Sequence, residues 1–246
     1  MEEDRSVMTR SMPEPEEQLR YGKDEQHVAD LYLPPSPTEK PLVLYIHGGW
    51  WRPQTDRIHA RSMAFWLKEA GWPVASIEYS RVPGNPEKMI SDVHLAAKYI
   101  PGAVGADRVV LVGHSAGGHL ALHTAVNGTI PGLVGTVALA PVADLRMAYD
   151  QNMGDGAVAA LLGCPAEDRP DLDPKRLPPS LTPVRLIHGT ADLIAPIDLS
   201  ESYVRSHPDS GLVSVDGAGH FSLIDPDQPH WMVVVDALES LASQDR

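Results

Sequence analysis

Arg108-Val109-Val110-Leu111-Val112-Gly113-His114-Ser115-Ala116-Gly117-Gly118-His119-Leu120-Ala121-Leu122-His123 is the stretch from which the rest of the chain is read. It opens with a short apolar run over 108–112, typical of a strand buried on both faces. A helical pattern over 119–126 follows, and G-x-S-x-G stands between the two. A serine hydroxyl is a weak nucleophile and must stand clear of the chain to meet both a base and a substrate. A sharp strand-to-helix turn with strained backbone angles holds it there. Gly113 and Gly117 remove side-chain clashes inside that turn. The helix start behind Ser115 offers free N–H groups, that of Ala116 first, to a developing oxyanion. Neither Gly-Lys-Ser/Thr nor G-x-G-x-x-G occurs here, so a phosphate loop does not fit.

Upstream, the apolar run 42–46 leads into His47-Gly48-Gly49-Trp50-Trp51. Acyl transfer needs a second backbone donor from a loop that approaches closely, which paired glycines allow. The expected donors are Gly49, Ala116 and Trp50, with Gly48 shaping the turn. Trp50, Trp51 and Phe221 are candidates for an aromatic substrate wall. Downstream, the run 184–188 leads to Gly189-Thr190-Ala191-Asp192, and the run 212–215 to Asp216-Gly217-Ala218-Gly219-His220-Phe221. Asp192 at its strand end is placed to hold an imidazole in one tautomer. His220, on a glycine-rich loop, is placed to move a proton. Asp198 is read instead as the cap of the next helix. His47 and His114 flank the motifs as hydrogen-bonding supports. His119 and His123 share an i, i+4 spacing that invites a zinc reading, but Leu120 stands where a zinc-protease helix needs Glu. No metal and no cofactor are expected.

Further apolar runs at 73–79 and 133–139 alternate with helical patterns: 62–70, the stretch behind Asn85-Pro86, and the C-terminal stretch with Trp231, Val234, Val235, Leu238 and Leu241. Such alternation specifies an α/β fold with a mostly parallel sheet covered on both faces. An edge strand is expected over 26–33. Residues 1–18, charged and holding Pro13 and Pro15, read as a mobile leader, and 19–246 as a single domain. Residues 145–180, rich in Gly and Pro, read either as a small lid over the sheet's carboxyl edge or as a long surface connection.

Lys plus Arg number 20 against 33 for Asp plus Glu, a formal charge of −13. Such a chain repels phosphate backbones and anionic headgroups, so nucleic acid and membrane are poor partners. An acidic start, one cysteine (Cys164) and no long apolar run suit the cytoplasm. The expected partner is a small ester or amide substrate, and the oligomeric state is not legible.

Together these motifs resemble the esterase and kynurenine formamidase branch of the α/β-hydrolases, from about Tyr21 to the C-terminal helix. Asp30-Leu31-Tyr32-Leu33-Pro34 is similar to that branch's opening strand and His47-Gly48-Gly49-Trp50-Trp51 to its H-G-G-x-W loop. Gly113 to Leu120 resembles its elbow, Asp92 fits its pattern, and His220-Phe221-Ser222-Leu223 is similar to the formamidases' end motif. The resemblance implies an α/β-hydrolase domain that uses Ser115, Asp192 and His220 through an acyl-enzyme on small-acyl esters or aryl formamides. An acyltransferase would share that acyl-enzyme. A catalytically silent binding relative would be expected to lack one of these groups.

Overall fold

The computed structural model describes residues 3–243. Its centre is an eight-stranded sheet in the order β1-β2-β4-β3-β5-β6-β7-β8. The strands are β1 (Glu17–Arg20), β2 (Val28–Tyr32), β3 (Leu42–Ile46), β4 (Val74–Ile77), β5 (Val109–His114), β6 (Leu133–Leu139), β7 (Val184–Gly189) and β8 (Gly211–Val215). β1 and β2 pair antiparallel, as do β2 and β4. All other pairings are parallel. The α/β architecture with a mostly parallel sheet therefore stands.

The wholly apolar strands follow from two-sided burial. In β3, Leu42, Leu44 and Ile46 pack with Met89 and Val93 of α2 (Pro86–Ala103) and Leu120 of α3 (Ala116–Asn127). The alternate residues Val43 and Tyr45 pack on the other face with Leu67 of α1 (Arg61–Glu69) and the C-terminal helix. Each fully buried aliphatic side chain contributes about 1.5–3 kcal/mol. Asn85 caps α2, its side-chain oxygen accepting the Lys88 N–H at 3.3 Å, with Pro86 at the first helical position.

One expectation changes, and two regions gain detail. First, the strand at 28–32 is internal, because β1 pairs along its outer side. Glu17-Gln18-Leu19-Arg20 carries almost no apolar signal, since Leu19 is its one apolar residue, half-buried against the core, and the other three side chains are exposed. Second, the part of the leader that is described, residues 3–18, is seated on the body. Ser6–Thr9 form a 3-10 turn with Val7 buried, and Arg10 grips Asp225 through two hydrogen bonds of 2.6 and 3.0 Å. Third, much of the span 145–180 is helical. It contains α4 (Leu145–Asp150) and α5 (Met153–Leu162), with two short 3-10 turns at Ala166–Asp168 and Pro174–Arg176. Within α5, Gly154, Asp155 and Gly156 have left-handed angles, so the regular part begins at Ala157.

α6 (Asp198–Ser206) follows β7, and α7 (Trp231–Ala242) closes the chain against the α1 face. Asp198 is the first residue of α6 and makes no side-chain capping bond; Ile197 occupies the cap position. Asp198 therefore acts only as a charge in the first turn. Among the described residues no helix is long and apolar enough to cross a membrane.

Candidate active site

The carboxyl ends of β3, β5, β7 and the loop after β8 converge on one cavity. Ser115 stands between β5 and α3 with φ 56° and ψ −119°, a conformation that L-residues rarely adopt. Its backbone is pinned from several sides. The N–H donates to the Leu139 carbonyl at 2.8 Å, and the carbonyl accepts from His119 and Val142 at 3.1 and 3.3 Å. The flanking glycines are required by crowding. A methyl group on Gly113 would lie 2.1 Å from the Gly117 carbonyl oxygen, and one on Gly117 would lie 2.1 Å from the Ile46 carbonyl oxygen. This second contact locks the elbow against the end of β3, where the H-G-G loop begins.

The cavity at Ser115 has a volume of 180 Å³, and His220, His114, Gly49, Trp50 and Phe221 line it. His220 Nδ1 lies 2.6 Å from Asp192 Oδ2. Nδ1 therefore carries the proton toward the carboxylate, and the other ring nitrogen of a neutral imidazole is left as an acceptor. Asp192 is held from further directions. Its Oδ1 accepts the N–H groups of Ile194 and Ala195, each at 2.8 Å. Burial alone would raise the Asp192 carboxyl. The hydrogen bonds from His188 and His220 outweigh it and hold the group well below the usual carboxylate range.

His188 is a residue that the sequence motifs do not single out. Its Nε2 is 2.7 Å from the Ala195 carbonyl and 3.3 Å from Asp192 Oδ2. Both partners are acceptors, so Nε2 must carry a proton; Nδ1 meets the Ser200 hydroxyl at 2.7 Å. Its position at the end of the strand that delivers Asp192 was the available signal.

Near Ser115, among the described residues, no backbone carbonyl outside the helices and strands accepts the N–H of Gly49, Trp50 or Ala116. Trp50 and Trp51 have positive φ, 52° and 54°, and Gly49 has φ 113°, so the loop turns sharply. It is buttressed from behind. His47 Nδ1 donates to the Gly48 carbonyl at 2.8 Å, its ring stacks on Tyr79 at 4.5 Å, and the Tyr79 hydroxyl donates to the His47 carbonyl at 2.8 Å. Glu78 Oε1 lies 3.1 Å from His47 Nε2 and also pairs with Arg81. Burial would raise the Glu78 carboxyl, but the bonds and charges of His47 and Arg81 bring it down to about 2. His114 Nε2 donates to the His220 carbonyl at 3.1 Å, tying the elbow to the histidine loop.

The three aromatic candidates divide. Trp50 and Phe221 line the cavity, whereas Trp51 does not. Trp51 is buried, packs edge-on to His119 at 5.2 Å and contributes to a separate 70 Å³ pocket beside the cavity. Trp50 lies between the two and borders both. Asp92 lies away from the cavity and bonds His27, Lys88 and the Ser80 N–H. His119 donates to the Leu172 carbonyl at 2.9 Å, and His123 stacks on His94. No cluster of metal-ligating side chains occurs among the described residues. A larger cleft of 640 Å³ lies against Asp144, Arg146, Glu167 and Lys175, with no serine, cysteine or histidine among its lining residues.

A mostly parallel sheet with a strained serine at a strand-to-helix elbow, in one cavity with a histidine that pairs with a carboxylate, is the arrangement of an α/β-hydrolase, here esterase-like. The BD-FAE family model matches residues 29–206, well over half of the chain, and the chain belongs to that family. It is 36% identical over 104 residues to the kynurenine formamidase of Danio rerio, covering 41% of this chain and 35% of that protein. It is 28% identical over 195 residues to the hormone-sensitive lipase of Bos taurus, covering 65% of this chain and 26% of that one. The chain thus spans about a third or less of these relatives' lengths. Among solved structures, a truncated carbohydrate esterase from gut microbiota superposes with a TM-score of 0.77 at 20% identity, covering 94% of this chain and 100% of that one. That likeness concerns the fold.

Proposed function

We propose that the protein is a serine hydrolase that cleaves small-acyl carboxylic esters or aryl formamides through an acyl-enzyme. The observation that carries this reading is the strained Ser115, which shares a 180 Å³ cavity with a His220 whose Nδ1 is engaged by Asp192 at 2.6 Å. Ser115 Oγ attacks the carbonyl carbon while its proton passes to His220 Nε2. The negative charge on the carbonyl oxygen is met by the N–H groups of Ala116, Gly49 and Trp50. As the tetrahedral carbon collapses, the bond to the leaving alcohol or amine breaks and His220 returns the proton to it. Water then attacks the acyl-enzyme, gives its proton to His220 and releases the acid, and Ser115 regains its proton.

The small-acyl preference rests on the cavity. At 180 Å³ it falls below the usual span of about 300–1,000 Å³ for small-molecule sites. Trp50 and Phe221 give it aromatic walls, on which a flat leaving group can stack for about 0.5–1.5 kcal/mol. Similarity to a kynurenine formamidase and to lipases supports the reaction class. In the test, Ser115→Ala should lose turnover and labelling by a fluorophosphonate while keeping its fold. Equal labelling of both proteins would overturn the assignment. A panel of p-nitrophenyl acetate, p-nitrophenyl octanoate and N-formylkynurenine, compared by kcat/KM, selects the substrate class. A rise from acetyl to octanoyl would refute the small-acyl part.

A further inference from the structure

We propose that Glu3 is a positioning residue that clamps together the two loops carrying the candidate acid and base; this rests on the reading of Ser115, Asp192 and His220 as the catalytic trio. Glu3 Oε1 accepts the N–H of Leu193 at 2.7 Å, and its Oε2 accepts the N–H of His220 at 2.9 Å. Leu193 directly follows Asp192. One carboxylate therefore bridges a donor beside the acid, in the loop after β7, and the backbone of the base, in the loop after β8. Hydrogen bonds to an ionised acceptor are the stronger kind, and each carboxylate oxygen takes one loop.

The neighbouring sequence is fitted to this contact. A methyl group on Gly219 would lie 2.5 Å from Glu3 Oε2, so glycine leaves the space that the carboxylate fills. The segment that delivers Glu3 is itself anchored. Val7 is buried, Arg10 holds Asp225, and the Arg5 guanidinium sits 5.7 Å above the Phe221 ring. Arg5 and Met8 reach the cavity containing Ser115.

The physical need is clear from the histidine loop. Gly217 has φ 70° and Gly219 has no side chain, so neither anchors the loop through a side chain of its own. The Gly217 N–H donates to Thr190 Oγ1 at 3.0 Å and the Gly219 N–H to Ser222 Oγ at 3.2 Å, and neither of these bonds holds the His220 N–H itself. Asp192 fixes the ring of His220 and His114 takes its carbonyl. Glu3 takes its N–H and ties that hold to Leu193. Proton transfer needs the imidazole within a fraction of an ångström of its productive place, and a displacement of about 1 Å costs on the order of 100-fold in rate. A clamp that spans both loops fixes acid and base relative to each other.

The test uses the full chain carrying Glu3→Ala, Glu3→Gln, Arg10→Ala and the double Glu3→Ala/Arg10→Ala. Amide hydrogen exchange at Leu193 and His220 should quicken at least about tenfold in Glu3→Ala, with strands β5 and β6 unchanged. Glu3→Gln keeps the size but turns one acceptor into a donor, so it should release one loop only. With p-nitrophenyl acetate, kcat should fall about 10- to 100-fold in Glu3→Ala while KM stays within about twofold. Arg10→Ala, which unmoors the segment, should change kcat in the same direction, and the double variant should add little to Glu3→Ala. Unchanged exchange at both amides would overturn the clamp whatever the activity. Quickened exchange with unaltered kcat would overturn its positioning role. If wild type neither turns over an ester nor takes a fluorophosphonate, the hydrolase reading fails instead, and the exchange data still decide the contact.

Discussion

Asp192 and Asp198 stand close together in the chain, and only one of them meets an imidazole. Asp192 is buried against His220 and His188, whereas Asp198 is exposed in the first turn of α6. Asp192→Asn should therefore reduce kcat by on the order of 10⁴, the loss seen when a triad carboxylate can no longer fix the histidine tautomer. Asp198→Asn should leave kcat within about threefold and cost about 0.3–1 kcal/mol by weakening a favourable charge at a helix start. Steady-state kinetics on both variants checks this, and a dead Asp198→Asn would reverse the assignment. The elbow and the places of the proposed acid and base were legible in the sequence because each sits where an apolar run ends in a glycine turn. The role of His188 was not, because its partners are a backbone carbonyl and a carboxylate brought close only by the folded loop.

At the scale of elements, the H-G-G loop and the helical span 145–180 share a joint at Trp50. A methyl group on Gly154 would lie 2.6 Å from the Trp50 indole, and Arg52 Nη2 donates to the Gly154 carbonyl at 2.5 Å. The indole stands between the 180 Å³ cavity and the 70 Å³ pocket. Trp50→Ala should join the two spaces and shift kcat/KM from acetyl toward octanoyl esters by at least about tenfold. A panel of p-nitrophenyl esters reads this directly, and an unchanged acyl profile would show that the indole does not limit chain length. Trp51→Ala should instead lower stability by about 3–5 kcal/mol through a core cavity, without altering selectivity. Sequence treated the two tryptophans alike, since adjacent residues on a loop carry no periodicity that says which faces the core. Strand β1 was unreadable for a related reason: its residues contribute backbone pairing and almost no apolar surface.

Across the whole molecule, buried neutral histidines couple stability to acid. Burial, aided by the neighbouring His47, lowers His59 to about 3; burial also lowers His119 to about 3 and His123 to about 4, all from 6.5. The unfolded chain binds these protons first. Their contribution is therefore fully present above about pH 6.5 and is lost as pH falls toward 3–4, at up to about 1.4 kcal/mol per pH unit for each group. Glu78, held at about 2 against 4.5, adds a second loss between those values. Urea midpoints should be level from pH 8 to 7 and fall steadily below 6.5; a level profile down to pH 4.5 would refute this account.

The link from Glu3 to His220 spans 217 positions of the chain, and Ser115 lies between its two ends. A polypeptide emerging from the ribosome thus presents Ser115 well before His220 is made. Contacts of such separation close late, because the entropy of a long loop must be met before they form. On the proposed mechanism, bond-breaking capacity would arise only with completed tertiary structure: a chain whose loops at 193 and 220 have not yet met would carry Ser115 without a placed base to take its proton.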